Sequence, residues 1–289
     1  MKHKDVVEHM AYDDRSSESS GVPDCSVVLP TNSLGKWLSE AVQSILANLV
    51  IDRVECVVVL DGVRRPDEEW TEDSRVHLVG IERSRGLAHA LNQGVLAGRG
   101  TFIARMDADD KSGPDRLSIQ MAYLRAHPEV VAVGGRARLM RETGEVTMGQ
   151  IGSVTGDDVR KRLLVRNVLV HPSVMFRRAP FEQVGGYDES MRTMEDYDLW
   201  MRLGVLGPIA SLPETLIDYR VHDRQMSRQA SWQGSHVRCI AKSRMALARD
   251  LGVPRIGASA VHLAWLAHQW ARDQGLIEPG YVRALERTK

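Results

Sequence analysis

The sequence predicts an α/β fold, a mostly parallel central sheet flanked by helices, with a small helical extension at the C-terminal end. Three observations carry this. Short runs of β-branched and apolar residues alternate with stretches of helical periodicity through the first half of the chain, the pattern of a sheet whose crossovers are helices. The strand-like runs are apolar throughout, as buried strands are. The clusters Pro30-Thr31-Asn32, Asp61-Gly62 and Asp107-Ala108-Asp109 all fall where such runs end, on the rim where open α/β sheets bind ligands.

The elements follow in order. CSVVLP (25–30) is a buried strand closed by Pro30, and GKWLSEAVQSILAN (35–48) spaces Trp37, Leu38, Ala41, Val42, Ile45 and Leu46 as one helix face. VECVVVLDG (54–62) and RVHLVGI (75–81) are strands, and GLAHALNQGVLAGRG (86–100) is a helix closed by glycine. TFIARM (101–106) is a fourth strand. PDRLSIQMAYLRAHP (114–128) is a helix with proline in its first turn, and VVAVGGRARLM (130–140) is again a strand. The second half is less regular: a helix over 156–167, a strand over 171–178, a loop from 185 entering a helix at about Glu195, and a strand over 211–222 ending in His222. From about residue 230 the pattern is helical, strongest over 260–275. The polar, Ser/Glu-bearing segment 1–23 reads as a disordered arm with room for a short helix at 5–11. The expected organisation is therefore an arm (1–23), one α/β domain (24–228) and a helical extension (229–289).

Composition narrows the function. Lys plus Arg and Asp plus Glu number 38 each, so no basic excess points to nucleic acid. Cys25, Cys56 and Cys239 lie far apart without C-x-x-C spacing, which reads as a reduced, cytoplasmic protein without disulfides or a cysteine zinc site. No window is apolar for long enough to span a bilayer, and the N-terminus lacks a signal-peptide pattern.

The chemistry concentrates in RMDADDKSGPDRL (105–117), with Asp107, Asp109, Asp110 and Asp115 directly behind a buried strand. An Asp-x-Asp at a strand end is either a solvated turn or a pair of hard oxygen ligands for Mg²⁺ or Mn²⁺. MEDYDLW (194–200) opens a helix with Glu195-Asp196, which is either an acid-rich helix start or a proton-accepting pair. His222 in YRVHDRQMS is an ordinary histidine or a third ligand.

CSVVLPTNS, VECVVVLDG, RGLAHALNQGVLAGRGTFIARMDADD, PDRLSIQMAYLRAHPEVVAVGG, HPSVMFRR, GGYDESMRTMEDYDLWMRL and YRVHDRQMS occur in this order over residues 24 to 228. Together they resemble the family 2 glycosyltransferases of GT-A fold, above all the subgroup acting on bacterial exopolysaccharide, capsule or lipopolysaccharide precursors. The resemblance implies a metal-dependent, inverting transfer of one sugar from a nucleoside-diphosphate sugar, a UDP-sugar first of all. The acceptor would be a hydroxyl of a saccharide, a lipid-linked saccharide or a natural product. It implies that Asp109 and Asp107 hold Mn²⁺ or Mg²⁺, with Asp107 also reaching the ribose and His222 joining on the metal or diphosphate. Asp196 would be the general base, with Glu195 beside it. Pro30, Thr31 and Asp61 would line the base and ribose pocket, and Arg85 or Arg83 would pair with phosphate.

Two departures from the family pattern bear on the base: Leu60-Asp61-Gly62-Val63 stands where Asp-Asp-Gly-Ser is usual, and Asn32 replaces an aromatic residue. His171 lines the acceptor side or is held by backbone. The chain has no Gln-x-x-Arg-Trp segment, only the superficially similar QASWQ at 229–233, so single rather than processive transfer is expected. Helix 258–273 packs on the domain, forms a homodimer surface or touches the inner membrane face as a peripheral contact. The rival readings are a nucleotidyltransferase, for which PTNSLGKW lacks a glycine-rich phosphate loop, and a non-catalytic sugar-nucleotide binding protein.

Overall fold

The computed structural model describes residues 21–48, 53–223, 225 and 234–277. The N-terminal arm with its expected short helix at 5–11, and the 229–233 segment, lie outside the described residues, apart from residues 21–23 of the arm.

The chain runs β1 (Cys25–Thr31), α1 (Lys36–Asn48), β2 (Val54–Asp61), β3 (Val76–Ile81), α2 (Leu87–Ala97), β4 (Phe102–Arg105), β5 (Lys111–Ser112), α3 (Arg116–Ala126), β6 (Ala132–Arg141) and β7 (Val146–Ile151). It continues with α4 (Arg160–Leu163), β8 (Met175–Arg177), α5 (Arg178–Gln183), α6 (Glu195–Gly204), β9 (Ile209–Val221), α7 (Ser235–Asp250) and α8 (Arg255–Asp273). The strand order is β3-β2-β1-β4-β8-β6-β9-β5, with β7 on β6. The β3-β2-β1-β4 half is parallel, as the alternating sequence requires, and β6 and β9 are also parallel. Antiparallel pairs enter with β8, β5 and β7.

The sheet separates two cores, because successive strand residues face opposite ways. Val27, Leu29, Cys56, Val58 and Leu60 meet α1 and α3 through Leu38, Ile45, Leu117 and Met121. Val28, Val57, Val59 and Ile103 meet Leu91 and Val95 of α2, in one core with Trp200 and Leu203 of α6. The same core takes in Ile240, Leu247, Ala258 and Trp265, so α7 and α8 pack onto the sheet's helical layer.

Several elements differ from expectation, the short β5 and α5 among them. The helix expected over 156–167 shrinks to Arg160–Leu163. The carbonyls that would continue it bond side chains from elsewhere: Leu163 O accepts Tyr197 OH at 2.6 Å, and Leu164 O accepts Arg244 Nε at 2.8 Å. The strand expected over 171–178 begins as a 3₁₀ turn, His171–Ser173, with Pro172 inside it, and is extended only over Met175–Arg177. Strand β7 is new. Its inward residues are Thr147 and Gly149 while Met148 is 90% exposed, so its apolar side chains mark the outward face and the pattern misleads.

Candidate active site

Register brings the three polar clusters to one rim. Thr31 pairs with Leu60, Asp61 with Ile81, and Arg105 with Val28, so β1, β2 and β4 end side by side. Pro30, Thr31, Asp61, Asp107, Asp109, Glu195, Asp196 and His222 all line one cavity of about 1570 Å³. Gly62, at φ +76°, turns the chain sharply after Asp61, a conformation open to glycine. Asp61 Oδ2 accepts Ser84 Oγ–H at 2.6 Å, while its buried Oδ1 meets no donor among the described residues. Thr31 turns its hydroxyl inward, donating to Ser33 O at 2.6 Å.

After β4 the chain presents Asp107, Asp109 and Asp110, with one oxygen of each within 4.8 Å of the others. Burial pushes the Asp110 carboxyl well above its usual range, and Asp109 and Asp107 add to the rise. Its Oδ1 accepts the Arg220 backbone N–H at 2.7 Å, but its buried Oδ2 has no hydrogen-bond partner among the described residues. Burial raises Asp107 too, against the pull of Arg105, with which it forms an ion pair. His222 Nε2 sits 2.7 Å from Asp109 Oδ2. Three hard oxygen donors, an unsatisfied carboxylate oxygen and an adjacent imidazole fit a divalent cation such as Mg²⁺ or Mn²⁺.

Helix α6 begins across the cavity. Met194, before it, holds φ +63°, a left-handed conformation that costs a side-chain-bearing residue about 1 kcal/mol or more. Glu195 is 5% exposed, and burial plus the neighbouring Asp196 push its carboxyl up to about 7. Burial raises Asp196 as well, although Oδ1 accepts the Tyr197 N–H and Oδ2 accepts Asn167 Nδ2–H, both at 2.7 Å. The two acidic groups sense each other: the charge of Asp107 raises Glu195, and the charge of Arg105 lowers Asp107, Glu195 and Asp196 alike.

Two expected residues stand elsewhere. Arg85 is exposed, pairs with Glu189 at 3.5 Å and does not reach the cavity wall; Arg83 is exposed and also off the wall. Their neighbours Ser84 and Gly86 do line it, so both arginines stand at its edge. His171 does line the cavity. Its Nε2 lies 2.9 Å from Tyr187 OH, and burial with the charge of Arg105 pushes its pKa well down, which favours the uncharged ring.

Sequence reasoning missed Arg105, Arg220, Asn167 and the burial of Asp110. Arg220 is 1% exposed. Besides its N–H on Asp110, it donates from Nε to Asp109 O at 2.7 Å, from Nη1 to Glu142 O and from Nη2 to Glu40 Oε2 at 2.6 Å, with its guanidinium over Trp37. It thus fixes the turn bearing the carboxylates. The one available signal was its place two residues before His222 in YRVH.

A Rossmann-like sheet whose strand-end carboxylates share a cavity with an acidic helix start agrees with a GT-A fold. The fold is similar to that of S. aureus TarS 1–349 in complex with UDP-GlcNAc, with TM-score 0.65, 17% identity, and coverage of 86% of this chain and 72% of that one. It is also similar to mannosyltransferase PcManGT from Pyrobaculum calidifontis in complex with GDP-Man and Mn²⁺, with TM-score 0.56, 16% identity, and coverage of 88% and 86%. Residues 26–185 match the model of glycosyl transferase family 2, and the chain belongs to that family. Among curated relatives it is 30% identical over 184 residues to the amylovoran biosynthesis glycosyltransferase AmsE of Erwinia amylovora, covering 62% of this chain and 68% of that protein. The chain is a glycosyltransferase.

Proposed function

We propose that this glycosyltransferase moves one sugar, with inversion, from a UDP-sugar to a hydroxyl of a saccharide or lipid-linked saccharide. The observation that carries the reading is the shared cavity, with Asp107 and Asp109 on one wall and Glu195-Asp196 on another. Its volume, about 1570 Å³, exceeds the roughly 300–1,000 Å³ of a single-ligand pocket and suits donor and acceptor together.

Asp61 Oδ1, buried without a donor, is an acceptor for a nucleobase N–H, and Pro30 and Thr31 form the adjoining wall. Asp107 and Asp109 would hold Mn²⁺ or Mg²⁺, with His222 beside them; the cation, when bound, neutralises charge on the departing diphosphate. Asp196 accepts the acceptor's proton as that oxygen bonds to the anomeric carbon and the bond from that carbon to the diphosphate oxygen breaks, the electron pair leaving with UDP. One displacement inverts the anomeric centre, and no second nucleophile is needed. Asn167 and the Tyr197 N–H hold the Asp196 carboxylate in place. Arg105 offsets the crowding of negative charge.

The test is turnover against a panel of nucleotide sugars with Mn²⁺, scored as free UDP, together with the melting shift that UDP and Mn²⁺ produce. Asp196→Asn should abolish transfer and keep that shift. Loss of both refutes the assignment of the base, and release of pyrophosphate instead of UDP refutes the reaction.

A further inference from the structure

Helix α8 has two working faces. Trp265, Gln269 and Arg272 line the cavity. On the opposite side, Ile256, Leu263 and Trp270 recur at seven-residue spacing and are 86%, 65% and 46% exposed, with exposed Ala260 and Ala267 between them. At about 100° per residue these five fall within an arc of roughly 80°. The arc contains no charged side chain, and an exposed apolar stripe of this kind marks a contact surface.

Charge selects the occupant. The chain as a whole is balanced, with 38 basic and 38 acidic residues, but the two C-terminal helices are not. Over residues 234–277 the basic residues are Arg238, Lys242, Arg244, Arg249, Arg255 and Arg272, and the acidic ones are Asp250 and Asp273. Arg238, Lys242, Arg249 and Arg255 are exposed, whereas Asp250 is already near Arg160 at 3.4 Å. A second copy packed through this stripe would bring together two helix pairs that each carry a net positive charge. An anionic bilayer complements it, because aliphatic and Trp side chains enter the interface while Lys and Arg meet the headgroups.

We propose that the outer face of α8 docks on an anionic lipid surface, with Ile256, Leu263 and Trp270 in the headgroup region. The cavity then lies one helix thickness, about 10–12 Å, from the bilayer. A saccharide carried on a lipid would approach Glu195 and Asp196 from that side. This last consequence rests on the proposed activity; the docking does not.

The test is co-sedimentation of the full chain with phosphatidylcholine vesicles, with and without about 30% phosphatidylglycerol, beside its oligomeric state in solution. The wild type should bind the anionic vesicles at least roughly tenfold better than the neutral ones. Leu263→Glu with Trp270→Glu should abolish binding while keeping the melting temperature, since both side chains are exposed; Trp270→Phe, which keeps the stripe apolar, should retain it. Failure to bind anionic vesicles, equal binding to neutral ones, or unchanged binding by the Glu pair overturns the proposal. So does a dimer that Leu263→Glu splits, which would give the stripe to a second copy.

Discussion

Asp110→Asn should move stability in opposite directions with and without a cation. In the structure Asp110 is fully buried, with oxygens of Asp107 and Asp109 within 4.8 Å. Two unit charges 4.8 Å apart repel by roughly 3.5 kcal/mol at an effective dielectric of about 20. The charge of Arg105 offsets part of this, leaving a gain of about 1–3 kcal/mol on removing the charge. Asparagine keeps an oxygen for the Arg220 N–H and leaves the turn intact. For a domain of this size the melting temperature should rise by roughly 3–8 °C. Because the folded-state pKa of Asp110 lies above its unfolded value, its charge destabilises the native state at neutral and higher pH. The gain should shrink as the pH falls toward the ordinary carboxylate range, where Asp110 itself carries a proton. Adding UDP and Mn²⁺ reverses the comparison, since a cation is held more tightly by three carboxylates than by two, and the variant should gain less. Thermal melting at pH 8 and pH 5, with and without UDP–Mn²⁺, reads all four states. A lower melting point without the cation, or an undiminished shift with it, refutes the reasoning.

Glu195→Gln removes the negative neighbour of Asp196, so the acid limb of the transfer rate, set by a pair in which Glu195 is pushed up to about 7, should move to lower pH; a pH–rate profile checks it. Arg244→Met leaves the buried Leu164 carbonyl and Tyr197 hydroxyl without their donor and should cost about 3–5 kcal/mol in a urea titration, with Arg244→Lys in between. Burial would raise Glu55, but His77, the Arg99 N–H and Ser26 outweigh it and bring its pKa down to about 2. Its contribution, roughly 3 kcal/mol, is complete above about 4.5 and lost as the pH falls from there through 2. Glu55→Gln should flatten the drop in urea midpoint between pH 7 and pH 3.5.

What could be read from the sequence depended on whether the signal was local. Strands β1, β2 and β4 announce themselves because a parallel strand buried on both faces is a continuous apolar run, and each ends at a turn whose polar residues then lie on the rim. Asp107, Asp109 and Glu195-Asp196 were visible for the same reason: they sit at element ends. Arg105, Arg220 and Arg244 were not. Each is a charged residue within or beside a regular element, where solvent exposure is the ordinary expectation. For Arg220 and Arg244 the partners lie far along the chain, as with Arg220 on Asp109 and Asp110 and Arg244 on the Leu164 carbonyl. Strand β7 fails for the opposite reason, since its periodicity is present but turned outward, with Met148 in solvent and Thr147 donating to Leu139 O. Arg85 was placed from a shared motif position; its ion pair with Glu189, over a hundred residues on, was not legible there.

The family match ends at residue 185, ten residues before Glu195, and the physical division of the site follows that line. The strand-end rim lies in a single parallel register, so Thr31, Asp61 and Arg105, two residues before Asp107, cannot shift relative to one another without breaking the ladder. The acidic pair rests on a helix, and α7 is what holds that helix. Ser243 Oγ donates to Asp198 Oδ1 at 2.5 Å, Arg202 Nε donates to the other Asp198 oxygen at 2.6 Å, and Arg202 Nη1 reaches back to Gly186 O at 2.7 Å, which ties down the loop before Met194. Arg244, under the Trp265 ring, donates to Tyr197 OH one residue from Asp196 and to the Leu164 carbonyl near Asn167, the residue that bonds Asp196. The strained Met194 and the crowded carboxylates are therefore held from behind by α7 and α8. Changes in those helices can reshape the wall bearing Glu195 and Asp196 while the strand-end rim, fixed by sheet register, stays as it is.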